Sequence, residues 1–212
     1  MNIFIMVLLL SVANLSLASC DSSSKKVVSM KNTSAALPKA NPDEPDNKVT
    51  PGQETAILAG GCFWGMQDIL RKIPGVISTR VGYTGGHLEN PRYEDTHGSK
   101  SGHAESVEVV FDPRILSYED LLQNWFFRMH DPTTKDRQGN DLGSQYRSAI
   151  FYTNNAQQIV AERVKKAVDA SGKWKAPLVT EIVKAGKFYP AEEEHQDYLV
   201  KHPAGYTCHY LR

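Results

Sequence analysis

The sequence is poor in cysteine and carries no excess of charge of either sign. Three cysteines in 212 residues are too few for a small scaffold held together by disulfides. Lys plus Arg and Asp plus Glu each number 24, so the chain lacks the basic surplus with which nucleic-acid-binding proteins neutralise phosphates. With 41% hydrophobic residues the chain is too apolar to be disordered. Because three is an odd number, at least one cysteine requires its own explanation.

Motifs for metals and cofactors are also missing. The sequence has no C-x-x-C, H-x-x-x-H or H-E-x-x-H spacing, which are the patterns of common zinc sites. It has neither a Walker loop nor the G-x-G-x-x-G fingerprint of dinucleotide-binding folds. We therefore expect no metal site and no cofactor.

The N-terminus has the features of a targeting segment. No charged residue precedes Asp21, and an apolar run extends from Ile3 to Leu17 with polar residues in its second half, as in a secretory signal. Residues 17–20 (Leu-Ala-Ser-Cys) resemble the lipobox of bacterial lipoproteins, which implies that signal peptide 1–19 is removed and that Cys20 is lipidated. We expect an exported, membrane-anchored lipoprotein facing the periplasm or the cell surface. A plain signal, giving a soluble secreted or periplasmic protein, and an uncleaved anchor are the alternatives.

The chain then changes composition twice. Between Cys20 and residue 53, Ser, Thr, Asn and Pro predominate, and no aromatic residue occurs between Phe4 and Phe63. Such a segment cannot bury enough apolar area to offset the entropy of ordering it, so we interpret 20–53 as a flexible tether. The remaining residues, 54–212, hold 18 of the 19 aromatic residues and are long enough for one domain with a real core.

Hydrophobic periodicity within 54–212 predicts an alternation of strands and helices. We expect strands at Thr55–Ala59, Val76–Tyr83, Ala104–Phe111, Ser148–Tyr152 and Leu178–Val183. Helices are expected to end near Ile73, His130 and Ser171, and Ser117 with Asp120 is expected to cap the second of them. The first six elements form a split β-α-β-β-α-β unit. This order favours an α+β, ferredoxin-like sandwich with an additional strand, an additional helix and long loops.

The second cysteine, Cys62, lies where the first strand passes into the first helix. It is flanked by glycines in residues 60–65 (Gly-Gly-Cys-Phe-Trp-Gly), which permit unusual backbone angles and close approach of a substrate. The free N–H groups and positive dipole at a helix start favour the thiolate, which is the reactive form. The alternative is a buried and inert cysteine. Phe63 and Trp64 are adjacent and cannot both face the core, so at least one is expected to line a pocket.

The residues around Cys62 resemble a known family. Residues 61–65 (Gly-Cys-Phe-Trp-Gly) match the signature of the A-type methionine sulfoxide reductases. Further family motifs follow in the expected order at 102–105, 112–113, 137–141 with 145–148, and 194–199. The resemblance covers essentially all of 54–212.

The family resemblance implies a catalytic set. Cys62 would attack the sulfur of the sulfoxide, Glu105 would protonate the oxygen, and Tyr93 and Tyr146 would donate hydrogen bonds to it. As an acid at neutral pH, Glu105 must be buried and have a raised pKa. The plainer interpretations are a solvated Glu105 and two ordinary core tyrosines.

The same resemblance implies a substrate pocket. Phe63 and Trp64 would hold the S-methyl group of the substrate, and Asp141 would be a further polar residue of the pocket. His103 and His195 are expected to be structural and to orient their neighbours.

The third cysteine, Cys208, offers a way to complete a redox cycle. The sulfenic acid left on Cys62 condenses readily with a thiol, and Cys208 lies in a glycine-containing tail that we expect to be mobile enough to reach it. A thioredoxin or a thioredoxin-like protein would then reduce the Cys62–Cys208 disulfide directly, since the second tail cysteine of many family members is absent here. The alternative is a static structural disulfide.

We therefore expect a reductase for the S epimer of methionine sulfoxide, free or in oxidised proteins and peptides, that repairs exported proteins. We expect its partners to be these substrates and the thioredoxin-like donor, with no nucleic acid, and the chain to be a monomer. Two other classes are open. A cysteine hydrolase would use Cys62 with a histidine base and leave Glu105 and Cys208 without a role. In a non-catalytic binding lipoprotein, Cys62→Ser would have no functional consequence.

Overall fold

The structure is a computed structural model that describes residues 49–212. The predicted signal peptide, Cys20 and nearly all of the predicted tether lie outside the described residues and stay predictions. Within 49–212, no helix combines the length and apolar character needed to cross a membrane.

A single mixed sheet organises the described part of the chain. Its six strands are β1 (Glu54–Gly60), β2 (Val76–Thr84), β3 (Ala104–Phe111), β6 (Ser148–Tyr152), β7 (Glu181–Lys184) and β8 (Tyr189–Pro190). A separate hairpin consists of β4 (Arg137–Gln138) and β5 (Asp141–Leu142). The six-stranded sheet has the order β7-β6-β1-β3-β2-β8, and β4 pairs with β5. The central strands β6-β1-β3-β2 are antiparallel neighbours, which is the arrangement of a split β-α-β-β-α-β unit. The predicted α+β, ferredoxin-like fold is confirmed.

Helices cover one face of this sheet. They are α1 (Phe63–Leu70), α2 (Tyr93–Thr96), α3 (Tyr118–Asp120), α4 (Phe127–Met129), α5 (Asn155–Ala170) and α6 (Tyr198–Lys201). A π-helical stretch, Leu121–Phe126, joins α3 to α4, and 3₁₀ turns occupy His97–Ser99 and Ser144–Tyr146. The Oγ of Ser117 accepts the N–H of Asp120 at 3.1 Å, which confirms the predicted helix cap.

Two predicted boundaries are wrong, each for a local reason. Helix α1 ends at Leu70 instead of near Ile73, because the N–H groups of Lys72 and Ile73 donate to the C=O three residues back, as in a 3₁₀ turn. The last predicted strand begins at Glu181 instead of Leu178, since the N–H of Leu178 donates to Asp169 Oδ1 at 2.9 Å and is not available to the sheet.

Strand alternation places Glu105 beside the main core. The core cluster contains Val107, Val109 and Phe111 of β3, which all face the helices. A second, small cluster on the opposite face contains Ala104 of the same strand. Glu105 is two residues before Val107, so its carboxyl lies on the helix-covered face, at the end of the strand where α1 begins.

Candidate active site

Cys62 is the N-cap residue of α1. Gly61 separates it from the end of β1, and only 6% of its surface is exposed. Gly61 has φ +107°, a conformation that glycine adopts without strain, so the predicted role of that glycine in a sharp strand-to-helix turn is confirmed. The turn aims the thiol into a small group of polar and aromatic residues.

The pKa of Cys62 differs from the prediction. The sequence predicts a thiol whose pKa is lowered by the helix start, and the N–H of Trp64 does act in that direction. Burial outweighs it, and the negative charge of Glu105 adds to burial, so the pKa of Cys62 is raised well above its ordinary value. The pKa of Cys62 therefore lies above the value that the helix start alone predicts.

Glu105 is where the sequence predicts a buried acid. Its carboxyl is 1% exposed, and its Oε2 accepts the N–H of Phe63 at 3.1 Å. Burial raises the pKa of Glu105 to about 8, although the hydrogen bond from Phe63 lowers it and Asp141 contributes a smaller increase. The carboxyl is thus protonated at neutral pH and is fixed to the residue next to Cys62.

This burial gives a prediction for stability. The pKa of Glu105 is about 8 in the folded protein and 4.5 without the fold, so its stabilising contribution is complete below about pH 4.5 and is lost as pH rises through 8. Glu105→Gln removes the loss, and the variant should gain stability over wild type by up to ~5 kcal/mol between about pH 4 and pH 9. Urea unfolding of both proteins at several pH values measures this difference. A difference that stays constant with pH would contradict the raised pKa.

An aromatic wall stands beside Cys62. Trp64 is partly exposed and stacks on Tyr198 with ring centroids 3.8 Å apart. Its Nε1–H donates to His195 Nδ1 at 3.2 Å, and the His195 ring lies 4.2 Å from the ring of Tyr93. His195 therefore orients two aromatic side chains, as predicted. Phe63 is fully buried, with its ring centroid 6.5 Å from that of Trp64.

Both predicted tyrosines belong to the site. The pKa values of Tyr93 and Tyr146 are raised, first by burial and then by the charge of Glu105, and Cys62 and Asp141 act on both in the same direction. Within residues 49–212, neither phenolic hydroxyl has a hydrogen-bond partner. The two hydroxyls stay protonated and are free to donate to a ligand oxygen.

Glu192 positions part of this group and is missed by the sequence reasoning. Its carboxylate accepts the hydroxyl of Tyr83 at 2.9 Å and the N–H of Tyr93 at 3.1 Å. Nearby, the Gln196 side chain accepts the N–H of Val81 at 3.0 Å and donates to its C=O at 2.9 Å, like a strand neighbour. These contacts join residues about 100 positions apart, so no local pattern indicates them.

Cys208 lies in the same site. Its thiol is half-buried and donates to Asp141 Oδ2 at 3.4 Å, while Tyr206 donates to the other oxygen of that carboxylate at 3.0 Å. Burial and Asp141 raise the pKa of Cys208 to about 11, and the backbone N–H of Cys62 opposes them. Both cysteines are free thiols, and each affects the pKa of the other. The tail segment is docked against the site instead of standing away from it.

The remaining histidines do not form a hydrolase or metal site. The Nδ1 of His103 accepts the N–H of Gly86 at 3.1 Å, so its Nε2 carries the proton and donates to the C=O of Leu88 at 2.7 Å. His103 is structural, as predicted. In the described part of the chain, no histidine is hydrogen-bonded to Cys62, and no three His, Cys, Asp or Glu side chains group in a way that could hold a metal ion. A histidine base for Cys62, which the hydrolase alternative needs, has no support in these contacts.

Known proteins share both the sequence and the fold. A family model described as peptide methionine sulfoxide reductase matches residues 54–212. The peptide methionine sulfoxide reductase MsrA 1 of Mesorhizobium japonicum is 58% identical over 159 residues, which are 75% of this chain and 90% of that protein. The crystal structure of reduced Mxr1 from Saccharomyces cerevisiae is 36% identical with a TM-score of 0.73, covering 78% of this chain and 96% of that one. Mxr1 in complex with Trx2 is 27% identical with a TM-score of 0.54, covering 78% and 94% respectively.

Proposed function

The chain belongs to the peptide methionine sulfoxide reductase family and reduces methionine sulfoxide, and we propose that it takes the S epimer and uses Cys62 and Glu105 for the chemistry. The observation that carries these roles is the hydrogen bond of 3.1 Å from Phe63 N–H to the buried carboxyl of Glu105. It holds a protonated acid beside the cysteine at the start of α1.

The chemical step balances with these two groups. The sulfur of Cys62 attacks the sulfoxide sulfur, and Glu105 donates its proton to the sulfoxide oxygen as the substrate S–O bond breaks. The bond between the two sulfurs then breaks as the hydroxyl passes to the sulfur of Cys62, which leaves methionine and a Cys62 sulfenic acid, and the proton of the Cys62 thiol returns to Glu105. The protein supplies all of the protons, and Cys62 is oxidised as the substrate is reduced.

The neighbouring side chains can bind the oxygen and the methyl group of the sulfoxide. The hydroxyls of Tyr93 and Tyr146 are protonated and lie in the field of Glu105, so they can donate to the sulfoxide oxygen. Trp64 presents a partly exposed ring for the methyl group, and the buried Phe63 ring lies 6.5 Å from it. Asp141 lies on the Cys208 side of the site.

The cycle is completed by Cys208 in our proposal. Its sulfur lies close enough to the backbone N–H of Cys62 for that group to lower its pKa, so the two cysteines share one site. The resulting Cys62–Cys208 disulfide would be reduced by a thioredoxin-like protein. Support comes from the solved complex of the related Mxr1 with Trx2.

Cys208→Ser tests this cycle. The variant should form one methionine per enzyme in a single turnover, because Cys62 and Glu105 are retained, but turnover supported by thioredoxin should fall to background. Quantifying methionine by mass spectrometry, with and without thioredoxin, separates the two phases. A folded variant that keeps thioredoxin-supported turnover would exclude Cys208 from the cycle, and a lower thermal unfolding midpoint with normal chemistry would favour a structural disulfide.

We further propose that the enzyme is exported and held at a membrane by acyl chains on Cys20, and that it repairs exported proteins there. The support is the apolar run before residues 17–20 (Leu-Ala-Ser-Cys) and the polar segment 21–53 that would serve as a tether. Cys20→Ser should move the protein from the membrane fraction to the soluble fraction without changing its specific activity. Mass spectrometry that finds an unmodified Cys20 in the mature wild-type chain would remove the anchor and leave the reductase proposal intact.

A further inference from the structure

His209, the residue after Cys208, is held in one tautomer. Its ring is buried, and its Nε2 lies 2.8 Å from the C=O of Gly60, at the end of the strand that leads to Cys62. A carbonyl can only accept, so Nε2 carries the proton. Nδ1 is therefore unprotonated and presents a lone pair.

This lone pair faces the Cys208 thiol. Nδ1 of His209 lies 3.5 Å from Cys208 Sγ, and Asp141 Oδ2 lies 3.4 Å from the same sulfur. The second oxygen of Asp141 accepts the hydroxyl of Tyr206. The Cys208 proton thus has two possible acceptors, and His209 is the one that is fixed to the backbone beside Cys62.

The glycines of the Cys62 motif make room for this ring. A Cβ at Gly65 would lie 2.7 Å from His209 Nδ1, and one at Gly61 would lie 3.1 Å from His209 Cε1. The first distance is too short for any side chain and the second is tighter than most Cβ contacts, so the ring packs closely on the backbone at both sides of Cys62. Glycine at these positions serves the tail as well as the substrate.

Burial favours the neutral form of His209. Burial lowers its pKa to about 4, the hydrogen bond to Gly60 and the charge of Asp141 oppose this, and Arg212 acts in the same direction as burial. Cys208, in contrast, has a pKa raised to about 11, so its thiol is protonated at neutral pH. Attack by Cys208 therefore requires a proton acceptor at its sulfur.

We propose that His209 is a catalytic residue of the disulfide-forming step, in which its Nδ1 takes the proton of the Cys208 thiol. The inference rests on the proposed function, because that step needs the sulfenic acid on Cys62. The sulfur of Cys208 attacks the sulfur of Cys62, the S–S bond forms, and the Cys62 S–O bond breaks. The leaving hydroxide receives the proton from His209 and departs as water, so no external oxidant or reductant takes part.

Two substitutions separate proton transfer from anchoring. His209→Gln can keep a donor at the ε position toward the C=O of Gly60 but has no acceptor at the δ position. His209→Asn places an amide oxygen near the δ position but loses the anchor. Single-turnover reactions with a methionine sulfoxide peptide are followed by mass spectrometry, which counts methionine, and by trapping of sulfenic acid with dimedone.

We expect His209→Gln to slow disulfide formation by roughly 10²-fold, with sulfenic acid accumulating, and His209→Asn to slow it less. Cys208→Ser gives the background of the assay. Disulfide formation by His209→Gln at the wild-type rate, or no slower than by His209→Asn, would overturn the proposal, and slowing by Asp141→Asn alone would assign the proton to Asp141. The methionine formed in the first turnover distinguishes failure of the His209 proposal from failure of the proposed function, because its absence in wild type would refute the proposed function.

Wild-type protein gives a test that does not depend on the variants folding. If His209 accepts the proton, it is neutral and Cys208 is protonated between about pH 5 and 8, so the rate of disulfide formation should change less than about threefold over that range. A rate that rises tenfold per pH unit would show that hydroxide removes the proton, which would overturn the role of His209.

Discussion

Replacing Cys62 by serine should reduce methionine formation by roughly 10⁴-fold or more, because a serine hydroxyl without a base is a very poor nucleophile. The fold should survive the change. Cys62 is the N-cap of α1 and makes no capping hydrogen bond with its side chain, whereas serine is among the preferred N-cap residues. Single-turnover formation of methionine from a sulfoxide peptide, read by mass spectrometry, measures the effect.

Thermal unfolding of the Cys62→Ser variant is its control. The midpoint should equal or exceed that of wild type, which would separate lost chemistry from lost structure. A folded variant that still forms methionine at more than a small fraction of the wild-type rate would show that another group attacks the sulfoxide. If the protein were a non-catalytic binding protein, Cys62→Ser would have no functional consequence.

Glu105→Gln should lower the rate of methionine formation by about 10²- to 10⁴-fold, which is the usual contribution of a positioned general acid. The amide keeps an oxygen that can accept the N–H of Phe63, so the start of α1 should stay in place. The amide cannot supply the proton that the departing sulfoxide oxygen needs. Rapid-quench measurement of the first turnover reports the step directly.

A matched control is available on the same strand. Glu108 of β3 is also buried, but strand alternation puts it on the opposite face, where it pairs with Arg80 at 3.0 Å. Glu108→Gln should change the methionine-forming rate by less than about threefold, while both variants are checked by urea unfolding. Equal losses in the two variants would mean that Glu105 acts through stability and not as the acid.

The sequence predicts the parts of the fold and site that depend on local patterns. The alternation in β3 both defines a strand and places Glu105 on the covered face, and the Ser117 hydroxyl caps its helix as expected. The position of Cys62 between strand and helix follows from the glycines around it. These features need only period, caps and turn residues.

The parts that the sequence does not predict depend on packing between distant segments. Helix-dipole reasoning predicts a low pKa for Cys62, but burial raises it, and the charges of the distant residues Glu105, Cys208 and Asp141 act in the same direction. The roles of Glu192 and His209 arise from contacts with segments 99 and 149 positions away. The tail contacts Gly60 and Asp141, and no local signal indicates these contacts.

Incubation of the protein with the S and R epimers of a methionine sulfoxide peptide, with dithiothreitol as reductant, tests the central claim most directly. Chiral chromatography of the remaining sulfoxide should show that the S epimer disappears and methionine appears in equal amount, while the R epimer stays. Wild-type protein that consumes neither epimer, or only the R epimer, would contradict the assignment of Cys62 and Glu105 to S-sulfoxide reduction.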